Sequence, residues 1–258
     1  MNAKNNKINA IGIIPARYDS TRLPGKPLLD ISGKPLLQRV WEASSKANTL
    51  RRLIVATDDN RIEDMCKNIG AECIITPASL QSGTDRVAYV YKQLEMKADI
   101  ILNIQGDEPL ITGDTIDNLI LKFSVSSFDV GTLIKKITVQ EELFNPSVVK
   151  VVLGMDNQAL YFSRSPIPYL REVKPEHWLM KSSYWKHIGI YAYKEKALFD
   201  FIRLKPTNIE QSEKLEQLRL LGNGSKFLCV ETDNELIGVD TPEDLELIRN
   251  YYEKHESK

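Results

Sequence analysis

Short apolar runs alternate with amphipathic segments through the first half of the chain, and that alternation limits the folds open to it. Ile11–Ile14, Leu53–Thr57, Glu72–Thr76, Ile100–Ile104 and Val130–Ile134 read as strands; Pro35–Ala47, Arg61–Ile69, Thr84–Leu94 and Asp114–Phe123 read as the helices between them. The pattern is that of an α/β fold, a mostly parallel central sheet flanked by helices. Pro35 is expected at a first helical position, where its missing N–H costs nothing. Right-handed crossovers bring the strand carboxyl ends to one edge, where open α/β sheets bind their ligands.

The second half differs. Val148–Leu153, Ala159–Phe162 and Ile188–Tyr193 read as strands without long intervening helices, which predicts a mixed or antiparallel extension. Ser165–Lys186, rich in Pro, Trp, Tyr and charge, reads as an ordered loop or lid. A helix is expected over Ile209–Leu221, with Leu215, Leu218 and Leu221 on its apolar face. Phe227–Val230 reads as a strand. Thr241-Pro-Glu-Asp-Leu245 then opens a last helix with an N-cap Thr, Pro at the first position and Asp at the third. With no repeat or linker, residues 10–258 form one domain, and the polar stretch Met1–Asn9 is expected to be disordered.

Bulk properties exclude several classes. A net charge of -1 gives no footing for nucleic acid or an acidic membrane. Cys66, Cys73 and Cys229 form no CxxC pair, which argues against a disulfide framework or a zinc site and for a reducing cytoplasm. The N-terminus lacks the apolar core of a signal peptide, and no apolar run is long enough to span a bilayer.

Chemistry concentrates at the strand ends. The first strand runs into a loop carrying Arg17, Arg22 and Lys26, stiffened by Pro15, Pro24 and Pro27, with Gly25 freeing the backbone beside the lysine. Fixed cations at this edge suit a polyphosphate. Asn103-Ile-Gln-Gly-Asp-Glu-Pro109 ends the fourth strand and brings Gln105 and Asp107 to the same edge. A carboxylate beside a polyphosphate suits Mg²⁺, although a solvated turn explains Asp107 and Glu108 equally well when they are read alone. Asp240 reads first as a helix-entry turn. Gln81-Ser-Gly-Thr-Asp-Arg86 reads as a helix cap whose free N–H groups can also meet an anion or a base edge. Arg164, just past a strand, suits a substrate carboxylate. A lone histidine such as His187 is more often a satisfied core or surface residue than a functional one. There is no Walker A sequence, dinucleotide fingerprint, nucleophile elbow or zinc-protease helix.

Ile14-Pro-Ala-Arg-Tyr18, Arg22-Leu-Pro-Gly-Lys-Pro27, Gln81-Ser-Gly-Thr-Asp-Arg86, Gln105-Gly-Asp-Glu-Pro109, Tyr161-Phe-Ser-Arg164, His187-Ile-Gly-Ile-Tyr191, Leu215-Glu-Gln-Leu-Arg219 and Gly238-Val-Asp-Thr-Pro-Glu-Asp-Leu245 together resemble the CMP-Kdo synthetase family, the 3-deoxy-manno-octulosonate cytidylyltransferases of lipopolysaccharide synthesis. The resemblance spans Ile11 to Arg249 with its blocks in order. It departs at Ile209-Glu210-Gln211, where the family often has Leu-Glu-His, and at Ser165, where a small apolar residue is commoner.

The resemblance implies a Rossmann-like nucleotidyltransferase fold, a homodimer, and Mg²⁺-dependent transfer of CMP from CTP to Kdo with release of pyrophosphate. It implies that Arg17 and Lys26 grip the triphosphate and that Gln81, Ser82, Gly83, Arg86 and Gln105 form the nucleotide side. Asp107 and Asp240 would ligate the metal, and Arg164, His187, Tyr191, Glu216 and Gln217 would line the sugar pocket. On the same basis the region around residues 145–200 is the dimerisation and sugar-binding elaboration. A cytidylyltransferase for 8-amino-Kdo or a sialic acid, and an inactive nucleotide-binding regulator, are the alternatives.

Overall fold

The computed structural model describes residues 8–19 and 23–256. Arg22 of the basic loop and residues 1–7 of the polar extension lie outside the described residues. At the end of that extension, Asn9 is tied to the sheet: its N–H donates to the Asp99 carboxylate at 3.0 Å, and its carbonyl accepts from Asp99 N–H at 2.8 Å. The expected disorder therefore does not reach Asn9.

The chain opens with β1 (Ala10–Ala16), a two-stranded ribbon of β2 (Asp30–Ile31) and β3 (Lys34–Pro35), and helix α1 (Leu36–Ser44). Next come β4 (Leu50–Thr57), α2 (Asn60–Ile69), β5 (Glu72–Ile75), α3 (Gly83–Gln93), β6 (Ile100–Asn103), α4 (Gly113–Ser124) and β7 (Val130–Lys136). The second half adds α5 (Gln140–Phe144), β8 (Lys150–Leu153), β9 (Ala159–Ser163), α6 (Trp178–Lys181) and β10 (Trp185–Tyr193). It closes with α7 (Glu195–Arg203), α8 (Asn208–Glu213), α9 (Gln217–Gly222), β11 (Phe227–Glu231) and α10 (Pro242–Glu256).

The main sheet runs β11-β7-β10-β6-β1-β4-β5, with the β8–β9 hairpin continuing from β10. Pairings of β6, β1, β4 and β5 are parallel, as is β11 with β7. β10 runs antiparallel to both its neighbours, β6 and β7. The antiparallel element expected as an extension is thus set in the middle of the sheet, and only the β8–β9 hairpin extends beyond it.

Strand alternation supplies a core to each face. On β1, Ala10 and Ile14 pack with Leu37 and Val40 of α1, Ile62 of α2 and Leu119 of α4; Ile11 and Ile13 pack with Val87 and Val90 of α3 and Leu198 and Phe201 of α7. A third cluster, Ile137, Leu143, Trp178 and Tyr184, gives the Ser165–Lys186 region a small core of its own. That region is a packed lobe bearing α6 and the start of β10.

Three helix readings change. Pro35 is the N-cap of α1, extended at ψ 144, and not its first helical residue. The helix expected over Ile209–Leu221 is two helices, because Lys214 adopts a left-handed conformation at φ 53 and turns the chain between α8 and α9. And α7 was not expected; it starts without a side-chain cap and is held by burial of Ala197, Leu198 and Phe201.

The packing of α1 on α4 leaves no space at Gly113. A Cβ there would lie 2.6 Å from the Lys46 carbonyl carbon and 2.7 Å from the Ala47 nitrogen, backbone atoms that cannot swing aside. Gly113→Ala is expected to destabilise the fold by about 1–3 kcal/mol, read as a lowered urea midpoint with an unchanged slope.

Candidate active site

The basic loop is shaped before any ligand arrives. Gly25 sits at φ 68 and its N–H donates to the Tyr18 carbonyl at 3.1 Å, while a Cβ there would lie 3.0 Å from the Tyr18 hydroxyl. This turn starts a short 3-10 segment, Lys26–Leu28, that aims Lys26 across the carboxyl ends of the strands. The Lys26 ammonium then lies 2.6 Å from Asp107 Oδ2 and 2.9 Å from Asp240 Oδ1. Burial works against charge on Lys26, but the two carboxylates outweigh it and hold its pKa above the ordinary value.

The two carboxylates come from distant parts of the chain. Asp107 follows β6. Asp240 precedes α10, where Asp244 accepts from Asp240 N–H at 3.0 Å and Thr241 N–H at 2.9 Å while its own N–H donates to Thr241 Oγ1 at 3.2 Å. The capping box read from Thr241-Pro-Glu-Asp is therefore present, and it fixes Asp240 in place. Val239 N–H donates to the Asp107 carbonyl at 2.9 Å and ties the two segments together.

Around this centre runs a cleft in two parts. One, of 360 Å³, is bordered by Arg17, Lys26 and Arg86; the other, of 320 Å³, by Asn103, Tyr191, Tyr193, Glu216 and Gln217. Gly83, Gln105, Asp107 and Asp240 line both and mark the junction. Arg17 donates to the Leu80 carbonyl; burial and the neighbouring Arg86 lower its pKa. In the second part, Gln217 is 6% exposed and its Nε2 has no hydrogen-bond partner, a buried donor facing the cleft. Burial raises the pKa of Glu216 beside it.

Other expected residues lie behind the walls. Arg164 directs its guanidinium at main-chain carbonyls: Nε to Glu213 at 2.8 Å, Nη1 to Pro146 at 3.0 Å and Nη2 to Lys214 at 3.4 Å. It was expected to line the sugar pocket and does not border either part of the cleft. His187 stands edge-on to Phe162 at 5.0 Å, with Nε2 3.0 Å from Thr132 Oγ1, and is likewise absent from the lining. Arg86, unlike these, borders the part of the cleft that holds Arg17 and Lys26, but it has no exposed surface and its guanidinium is spent on Asp58 and Thr76 Oγ1. Ser82 spends its hydroxyl and N–H on a capping box with Asp85, and Gln81 is exposed and outside the lining. Gly83, the first residue of α3, is the part of that motif that reaches the cleft.

The sequence reading missed Glu108 and Tyr193. Tyr193 follows Tyr191 by two residues on β10, so period-two alternation was a signal for it. Glu108 looked like half of a solvated acidic turn. In the structure its Oε2 is buried without a partner, and burial with the nearby Asp107 and Asp240 pushes its pKa up to about 8.

These groups fit a divalent cation. Three carboxyl groups, one carrying an orphaned oxygen, converge where the Lys26 ammonium bridges Asp107 and Asp240. Among the described residues no set of three or more His, Cys, Asp or Glu side chains forms a metal cage. Mg²⁺ does not need one, since it binds through one or two carboxylates and completes its shell with phosphate oxygens and water.

Burial pushes the His187 pKa down to about 3. Its unfolded-state counterpart takes up a proton near pH 6.5, while the native ring stays neutral until about pH 3. Between those values the unfolded state binds the extra proton, so stability falls with acidification. His187→Gln is expected to flatten this part of the acid-unfolding profile, as followed by thermal melts from pH 7 to pH 3.5.

The cytidylyltransferase family model matches residues 11–227. A 3-deoxy-manno-octulosonate cytidylyltransferase of Parabacteroides distasonis is 45% identical, the match covering 92% of this chain and 95% of the relative. Another, of Geobacter sulfurreducens, is 43% identical over 93% of this chain and 98% of its own length. Among solved structures, a CMP:2-keto-3-deoxy-manno-octonic acid synthetase complexed with CTP superimposes with a TM-score of 0.88 at 42% identity, covering 96% of this chain and 99% of the other. No helix among the described residues is long and apolar enough to cross a membrane. The chain belongs to the 3-deoxy-manno-octulosonate cytidylyltransferase family of cytidylyltransferases.

Proposed function

We propose that this protein transfers CMP from CTP to the anomeric hydroxyl of Kdo, giving CMP-Kdo and pyrophosphate and activating the sugar for lipopolysaccharide synthesis. The observation that carries the reading is the two-part cleft. Cations line one part, an unpartnered amide and a carboxyl line the other, and Asp107 and Asp240 stand at the junction. A triphosphate fits against Arg17 and Lys26, and an acidic, polyhydroxylated sugar fits against Gln217, Glu216 and Tyr191. The junction is then the place of the α-phosphorus.

In the reaction the sugar hydroxyl oxygen bonds to the α-phosphorus and gives up its proton to solvent, while the bond to the β-phosphate breaks and pyrophosphate departs on the far side. Such a transfer requires alignment and charge neutralisation more than a covalent partner. Lys26 and Arg17 offset charge gathering on the phosphates. Gln217 Nε2, buried and unpaired before substrate arrives, donates to a sugar oxygen and gains a bond that solvent does not already satisfy. Asp107 and Asp240 would hold Mg²⁺. When bound there, Mg²⁺ neutralises phosphate charge and lowers the pKa of a nearby hydroxyl. With CTP and the metal present, Lys26 would be released from one carboxylate and turn toward phosphate.

We also assign the homodimer contact to the elaboration around residues 145–200. Met155 is 85% exposed and Tyr169 75%, large apolar groups at the β8–β9 turn and on the small lobe. Sedimentation of the native protein is expected at twice the 29.4 kDa chain mass, and Met155→Asp with Tyr169→Asp should shift it toward the monomer.

Pyrophosphate release, screened over CTP, UTP and several 3-deoxy acidic sugars, tests the assignment. Release is expected with CTP and Kdo and to stop on chelation of divalent metal; preference for UTP, or CTP binding without product, argues against it. Asp107→Ala should lower turnover roughly a hundredfold or more while melting remains cooperative. Near-normal turnover in that variant would remove Asp107 from the metal site.

A further inference from the structure

Behind the sugar side of the cleft lies a cation that no step above uses. Lys150, at the start of β8, is 0% exposed, and its ammonium donates to three main-chain carbonyls: Asn145 at 2.9 Å, Val148 at 2.6 Å and Arg164 at 2.5 Å. Three N–H bonds meet three acceptors, so the group is saturated without a carboxylate in contact. Burying an ammonium this way is costly, and burial, with Arg164 adding to it, pushes the Lys150 pKa down to about 8. A purely apolar side chain would fill the same space without that cost, so the bonds themselves need a reason.

The reason lies in what the third carbonyl belongs to. Arg164 is locked into a ring with Glu213. Its N–H donates to Glu213 Oε2 at 2.9 Å, Ser163 Oγ donates to Glu213 Oε1 at 2.6 Å, and Arg164 Nε returns to the Glu213 carbonyl at 2.8 Å. Arg164 Nη2 also reaches the Lys214 carbonyl at 3.4 Å. Lys214 is the left-handed residue that divides α8 from α9, and Lys214, Leu215, Glu216 and Gln217 follow one another along the cleft wall. A lysine at φ 53 persists only where its surroundings hold it. The ring does so from one side.

We propose that Lys150 is a positioning residue for sugar recognition, acting through the Arg164–Glu213 ring to hold the Lys214–Gln217 wall in register. It touches neither substrate nor the phosphate side. Its bonds fix the end of β9, the ring carries that position to the α8–α9 turn, and the turn sets where Glu216 and Gln217 face. Arg17, just past β1, bonds the Leu80 carbonyl, and Lys26 of the basic loop bridges Asp107, beyond β6, to Asp240; these bonds are separate from the ring, although Arg17 lies within electrostatic reach of Glu216. Loss of the ammonium therefore loosens the sugar side and spares the nucleotide side.

The proposal rests on the cytidylyltransferase reading, and the test has one arm that does not. Lys150→Met keeps most of the volume and removes the three donors; Glu213→Gln keeps the shape and weakens the ring, and serves should the first variant fail to fold. In the kinetic arm, the KM for Kdo is expected to rise about tenfold or more, and the KM for CTP to stay within about twofold, where ten is the factor set by 1.4 kcal/mol. In the second arm, amide hydrogen exchange of the ligand-free protein is expected to speed up in the peptide covering residues 208–217 and to stay unchanged in β1 and β6. Folded variants with wild-type exchange there, or with equal increases in both KM values, overturn the proposal. If the wild type makes no product from CTP and Kdo, the functional reading fails, and the exchange arm alone decides whether Lys150 holds the wall.

Discussion

The contact on which the site depends is the bridge from the Lys26 ammonium to Asp107 and Asp240, at 2.6 and 2.9 Å. It joins a loop near the start of the chain, the end of a central strand and the entry to the last helix, segments that share no local structure. A lysine buried at the strand ends needs counter-charge, and two carboxylates close enough to share one ammonium repel each other when it leaves. On the proposed reading the same instability suits a metal and a triphosphate, which would bring charges of both signs. The ion pair would then stand in for the cation and anion of the loaded protein.

Backbone features put those charges there. Gly25 in its left-handed turn starts the short segment that carries Lys26 to Asp107 and Asp240, and the Thr241–Asp244 box fixes the chain where Asp240 enters the last helix. Burial of Glu108 beside them, with Asp107 and Asp240 close by, pushes its pKa up to about 8, so near neutral pH it adds a largely protonated carboxyl and not a third full negative charge. Carboxyls perturbed in this way gather at functional sites.

Much of this was legible in the sequence because it is local. Hydrophobic period gave β1, β4, β5, β6 and β7 within a few residues, and the Pro-stiffened loop and the helix-entry motif each carry their own turn chemistry. The errors lie where distant segments decide the outcome. No periodicity in Trp185–Tyr193 reveals that β10 lies between β6 and β7, since an antiparallel strand can sit at the edge or in the centre. The break at Lys214 carries no local signal, because a lysine is a good helix former, yet it stands left-handed at φ 53 with its carbonyl accepting from Arg164, a residue distant in sequence. Arg164 itself shows the same limit. Its type and its place after a strand suit a carboxylate ligand, yet the carbonyls of Pro146, Glu213 and Lys214 claim it first.

The two parts of the cleft consequently differ in how they are held. The part proposed for phosphate is built from the first strand, its following loop and the segment after β6, where β1 lies between β6 and β4 in the parallel core. The sugar side is built from the end of β10 and the α8–α9 turn, and its shape depends on side chains grasping backbone: Lys150 on three carbonyls and Arg164 on three more. Hydrogen bonds of that kind can be rearranged without repacking a hydrophobic core. A fold that keeps its nucleotide grip in the sheet and its acceptor grip in such a turn can change acceptor while conserving the chemistry.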